Sequence, residues 1–118
     1  MKLTLKPFSF AFSGILSVIK TERNIKVHLV LAAFAILLGL ILGISRLEWL
    51  AIVLIIAAVL VAEIFNSAIE EICNIIKREN HLDYKETKLI RDASAGAVLI
   101  LAIASVIIGV IIFLPYLL

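Results

Sequence analysis

Three long apolar runs dominate this 118-residue chain, and nearly all of its charges lie before or between them. The first run, Leu29 to Ser45, holds no ionisable residue and is just long enough to cross a bilayer with little tilt. A short link, Ser45-Arg46-Leu47-Glu48, leads to the second at Trp49, which ends at Ala62; the third runs charge-free from Ala93 to Leu118. With 64% hydrophobic and 17% charged residues, a soluble domain of this size has no interior large enough to hide that surface. The expectation is an all-α integral membrane protein with spans at about 29–45, 49–76 and 92–115, forming one domain over 1–118.

The second run is too short by itself. Its fourteen residues cover about 21 Å, against about 30 Å of hydrocarbon. The helix must therefore continue, carrying Glu63 and Asn66 below the membrane surface and placing Glu70 near the interface. At 100° per residue, Glu63, Asn66, Glu70 and Asn74 fall within roughly 80° of one another and make a single polar stripe. Ionisable groups inside a membrane are costly, so this stripe is the first candidate for function.

Lysine and arginine set the orientation. Five lie in residues 1–28, one at Arg46 and five between Lys77 and Arg91, so the two rich segments belong on the cytoplasmic side. The N-terminus and the open end of the stripe are then inside and the C-terminus outside. Before the first span, Leu5, Phe8, Phe12, Ile15 and Ile19 follow a 3-4-3-4 spacing opposite Lys6, Ser9, Ser13, Ser17, Lys20 and Asn24. This predicts an amphipathic surface helix over about 4–26, with no cleavable signal.

Several residues admit two readings. Glu22 falls where the apolar stripe asks for a hydrophobic group, so it either turns toward a polar site or marks the helix end. Asp92 is either the N-cap of the third span or a site carboxylate, and Arg91 either a membrane anchor or a phosphate ligand. Gly39-xxx-Gly43 and the run Ala93-Ser-Ala-Gly-Ala97 fit close helix packing. His28 and Trp49 read as interface residues, His81 as a loop residue, and the single Cys73 as a small packing group.

Missing motifs narrow the chemistry. The five glycines form neither a G-x-x-x-x-G-K-[ST] loop nor a G-x-G-x-x-G turn. No His and Cys stand at metal-ligand spacing, no serine triad is evident, and nothing points to a nucleic-acid partner. What remains is carboxylates beside Lys and Arg at the inner surface. That set suits a hard cation such as Mg²⁺ on phosphates, with one carboxylate acting as base on a hydroxyl.

Glu63-x-x-Asn66-Ser67-Ala68-Ile69-Glu70 resembles the signature of the prokaryotic diacylglycerol kinase family, which includes the undecaprenol kinases. The likeness extends to an amphipathic helix ending in Thr21-Glu22-Arg23-Asn24, to three spans, and to Arg91-Asp92 followed by small residues. It implies a homotrimer with shared active sites, and ATP-dependent phosphorylation of a membrane lipid hydroxyl in a bacterial inner membrane. By resemblance, Glu63 is the general base, Asn66 orients that site, and Glu22 and Glu70 hold Mg²⁺ with the nucleotide. Arg91 and Asp92 contact the nucleotide, and Glu79 and His81 match a nearby loop segment. The segment around Glu22 and His28 resembles the undecaprenol kinases more than the enterobacterial diacylglycerol kinases, so undecaprenol is the preferred substrate and diacylglycerol the alternative. Asn74 stands where the family commonly has Asp, Arg91 where it commonly has Lys, and the loop His81 to Ile90 is longer than in diacylglycerol-using members.

From another class, a small proton-coupled exporter would also carry a membrane-embedded glutamate, but with four spans and a carboxylate near the midplane. A purely structural bundle would leave the polar stripe unexplained.

Overall fold

The computed structural model describes residues 5–118 as four helices: α1 (Lys6–Thr21), α2 (Arg23–Leu42), α3 (Arg46–Glu79) and α4 (Tyr84–Leu117). The last three are long and apolar enough to cross a membrane, as expected. α3 and α4 pair most extensively, α2 lies mainly against α3, and α1 leaves the bundle, giving a slab of 56 × 46 × 22 Å.

α1 buries no residue. Leu5, Phe8, Phe12 and Ile15 face outward, and Val18 and Ile19 alone are half-buried, so the helix touches the bundle at its C-terminal end. This agrees with a helix lying in the membrane surface. It ends earlier than the predicted residue 26: Glu22 adopts an extended backbone (φ −102°, ψ 126°) between α1 and α2. The redirection sets Ile25, 1% exposed, inside the bundle at the start of α2. The predicted start at residue 4 lies outside the described residues.

α2 closes on Gly43, whose left-handed backbone (φ 66°, ψ 48°) suits a residue without Cβ. The Gly43 and Ile44 amides both donate to the Gly39 carbonyl, at 3.0 and 3.3 Å. The two glycines thus do different jobs. Gly43 makes the turn, while Gly39 is buried so closely that a Cβ there would meet the Trp49 ring at 2.9 Å.

α3 opens with a capping box: the Glu48 amide donates to Ser45 Oγ (3.2 Å) and the Ser45 amide to Glu48 Oε1 (2.9 Å). The residues read as a link are therefore the first turn of the helix. The Tyr116 hydroxyl also donates to Glu48, fastening the far end of α4 to the start of α3. Beside this fastening lies the apolar core of Ile44, Ile52, Ile112 and Phe113. At 34 residues, α3 runs about 51 Å and outreaches the hydrocarbon, so its last turns stand in water.

The expected loop over His81 to Ile90 is corrected. α4 begins at Tyr84 behind an extended Asp83, which leaves only residues 80–83 between the helices. Charges end a hydrophobic run without ending a helix, and here Thr87–Arg91 and Lys88–Asp92 contacts at i,i+4 stabilise the polar turns. Asp92 accordingly lies more than two turns inside α4, and its reading as an N-cap is wrong.

Candidate active site

The stripe is a burial gradient along one face of α3. Glu63 is 3% exposed and Asn66 8%, Glu70 is half-buried, and Asn74 is open. The apolar flanks of Val59 and Ala62 hold this stretch in the bundle, and the helix then emerges toward Lys77 and Arg78.

Glu63 and Asn66 each have a partner, whereas the Ser67 hydroxyl between Asn66 and Glu70 is buried without one among the described residues. His28 Nε2, from α2, stands 3.2 Å from Glu63 Oε1. Asn66 accepts from the Ser94 hydroxyl of α4 at 2.7 Å and donates to Glu70 Oε1 at 3.4 Å. The three helices thus converge on residues 63–70. Sequence reasoning alone treats His28 as an interface residue and Ser94 as part of a small-residue packing run. One signal is available for His28: it is the only titratable residue between Val27 and Ser45, and a carboxylate in lipid needs a polar partner.

Nearer the surface, Arg91 donates from Nε to Thr87 Oγ1 and from Nη2 to Asn74 Oδ1, both at 2.9 Å. Its guanidinium lies 5.1 Å from the Tyr84 ring centre, and the Lys77 ammonium 5.9 Å. Thr87, 3% exposed, supports this cluster and carries no signal in the sequence. The Asp92 carboxylate is exposed and bonds Lys88, whose ammonium it holds above the usual lysine range. Glu79 ends α3, and His81 occupies the following turn with φ 52°. Among the described residues, no hydrogen bond or ion pair joins Asp92, Glu79, His81 or Glu22 to the Glu63–Glu70 row.

Among the described residues, too, no three His, Cys, Asp or Glu side chains are grouped to cage a metal. Two hard carboxylates remain as candidates: half-buried Glu22 at the α1–α2 break and Glu70, which spends only Oε1 on Asn66. This donor set fits Mg²⁺, which is commonly held by one or two carboxylates with phosphates and water completing its shell. Between α2, α3 and α4, an apolar cleft of about 210 Å³ opens beside His28, lined by Leu31, Ile56, Leu60 and Phe113 among others.

Fold and site define a small helical membrane protein with a buried carboxylate–carboxamide row that reaches a basic, water-exposed end. The chain belongs to the prokaryotic diacylglycerol kinase family, whose pattern matches residues 9–113, and it is a lipid kinase. It is 38% identical over 110 residues to an undecaprenol kinase of Bacillus subtilis, covering 93% of this chain and 87% of that one. To a diacylglycerol kinase of Synechocystis it is 29% identical over 114 residues, covering 97% of this chain but 64% of the relative. No solved structure matches.

Proposed function

We propose that the protein transfers the γ-phosphoryl group of ATP to the hydroxyl of undecaprenol, at the cytoplasmic face of a bacterial inner membrane. The observation that carries this reading is Glu63, a carboxylate 3% exposed within an apolar span and continuous through Asn66 and Glu70 with a basic surface. A lipid hydroxyl reaches that depth laterally, while a nucleotide reaches the row from water.

Phosphoryl transfer asks a protein mainly for positioning and charge stabilisation. Glu63 accepts the hydroxyl proton as the lipid oxygen bonds to the γ-phosphorus and the bond to the bridging β,γ-oxygen breaks, releasing ADP. Asn66, held between Ser94 and Glu70, fixes the floor of that site. Arg91, braced by Thr87 and Asn74, offers its remaining N–H groups to phosphate oxygens. Glu22 and Glu70 would hold Mg²⁺, which supplies neutralisation of phosphate charge when bound. Asp92, Glu79 and His81, all exposed, would contact the nucleotide from the water side.

The greater identity and fuller mutual coverage with the undecaprenol kinase support the polyprenol over diacylglycerol. The broad exposed apolar faces of α2 and α4 and the small residues Ala93 to Ala97 support a homotrimer. The distribution of Lys and Arg supports a cytoplasmic N-terminus and an external C-terminus. Three spans, with acids gathered at one end, disfavour an exporter.

The test is transfer of labelled γ-phosphate from Mg-ATP in mixed micelles, with undecaprenol and diacylglycerol supplied separately and Glu63→Gln as control. Label in undecaprenol that falls about 100-fold or more in the variant supports the reading. Label confined to diacylglycerol corrects the substrate, and label in neither lipid rejects the proposal.

A further inference from the structure

We infer that His28 is the positioning residue of the base: it holds the Glu63 carboxylate through Oε1 so that Oε2 is left to receive the lipid proton. This rests on the kinase reading above. His28 is the only hydrogen-bond or ion-pair partner of Glu63 among the described residues, at 3.2 Å, and both side chains are largely withdrawn from water, 20% and 4% exposed. Of the polar groups next to it on α3, Asn66 is committed to Ser94 and Glu70, while the Ser67 hydroxyl, one turn on, is buried and bonds to nothing among the described residues.

The atoms decide what such a contact does. An imidazole that faces a carboxylate through Nε2 carries a hydrogen on that nitrogen and turns Nδ1 away from the carboxylate. A carboxylate held at one oxygen loses its torsional freedom, and the direction of its other oxygen is set. The reaction needs this because a base must lie within hydrogen-bond reach of the proton it takes, and small misplacements slow transfer severely. His28 also lines the apolar cleft with Leu31, Leu60 and Ile56, whereas Glu63 is not among the residues that line it. His28 is thus the side chain through which α2 reaches the base on α3.

A merely structural role would be to keep a buried carboxylate from standing unpaired. Two substitutions and a spectrum separate the roles. His28→Leu removes the donor, whereas His28→Gln restores an N–H at a similar reach. We expect His28→Leu to lower kcat about tenfold or more with KM for ATP within about twofold, and His28→Gln to return kcat to within about threefold of native. In the native protein, ¹⁵N spectra of the imidazoles, His28 being assigned by its loss in His28→Gln, should show one fixed Nε2–H tautomer that Glu63→Gln releases to averaging.

Native kcat in His28→Leu, or a folded His28→Gln as slow as His28→Leu, overturns the inference. So does a His28 ring that samples both tautomers in the native protein. If His28→Leu does not fold, the glutamine variant and the spectrum decide. If native protein phosphorylates no lipid, the function proposed above fails by itself, and the spectrum still judges the pair.

Discussion

Arg91 Nη2 donates to Asn74 Oδ1 at 2.9 Å, joining α4 to α3 across seventeen residues of chain. These are the two positions where the sequence departs from the Asp and Lys that its family resemblance leads one to expect, and they are partners. A neutral amide leaves the guanidinium charge uncompensated, so the fork stays available to phosphate while its angle is fixed. Asn74→Asp should draw that charge into an ion pair and raise KM for ATP about three- to tenfold. Asn74→Asp with Arg91→Lys should recover part of the loss, giving a coupling of about 0.5–1.5 kcal/mol. Steady-state kinetics on the four proteins of the cycle measures it, and strict additivity would sever the proposed link.

Ser94 should matter beyond its size. Its hydroxyl donates to Asn66 Oδ1 at 2.7 Å, and that bond orients the amide whose nitrogen reaches Glu70. Ser94→Ala leaves a buried acceptor unsatisfied, costing about 1–3 kcal/mol, and frees the amide to rotate. We expect a lower thermal midpoint in detergent and a kcat reduced about tenfold. Ser94→Thr, which keeps the hydroxyl, should retain more activity than the alanine variant; equal losses would show that side-chain volume, not the hydrogen bond, matters there.

The parts legible in the sequence are those governed by short-range rules. Hydrocarbon thickness forces Glu63 and Asn66 into the span, and the spacing of 63, 66, 70 and 74 puts them on one face; the buried row agrees with both. The Ser45-x-x-Glu48 capping box is also there to be read, but it passes for a link when its charge is counted against the helix. The same habit turns Tyr84 to Ile90 into a loop, although a helix needs apolar residues only where it meets lipid or core. The contacts of His28 with Glu63 and Ser94 with Asn66 depend on the relative rotation of three helices, which no single-helix periodicity contains.

Metal dependence gives a prediction about Glu70 and Glu22. If both carboxylates share Mg²⁺ with the nucleotide, chelation with EDTA should abolish transfer and Mg²⁺ should restore it. Each of Glu70→Gln and Glu22→Gln should raise the Mg²⁺ concentration for half-maximal rate about tenfold or more, since a charged oxygen ligand becomes a neutral one. Glu70→Gln should also perturb Asn66, its partner at 3.4 Å, and so lower kcat at saturating Mg²⁺ where Glu22→Gln lowers it less. Unchanged Mg²⁺ titrations in both variants would remove these residues from the metal site.

The end of the bundle where α2 turns into α3 predicts opposite rescue patterns for two glycines four residues apart. A Cβ at Gly39 would approach Trp49 Cη2 at 2.9 Å and Cζ2 at 3.0 Å, and Ile44 Cδ1 at 3.1 Å, so Gly39→Ala is a steric fault between α2 and α3. Overpacking of this kind costs about 1–3 kcal/mol. A methyl at Gly43 would meet nothing within 4 Å, but the residue holds φ +66°, so Gly43→Ala is a backbone fault of about 1–2 kcal/mol. Trp49→Leu should therefore recover much of the loss in Gly39→Ala and none in Gly43→Ala, whereas Asn, which tolerates the left-handed region, should serve at position 43. Thermal unfolding in detergent, followed by circular dichroism, reads all of these, and kinase activity below the melting range should persist because the fault lies at the end of α3 remote from Glu63. Rescue of both alanine variants by Trp49→Leu would mean that the turn at Gly43, too, is limited by packing and not by its backbone conformation.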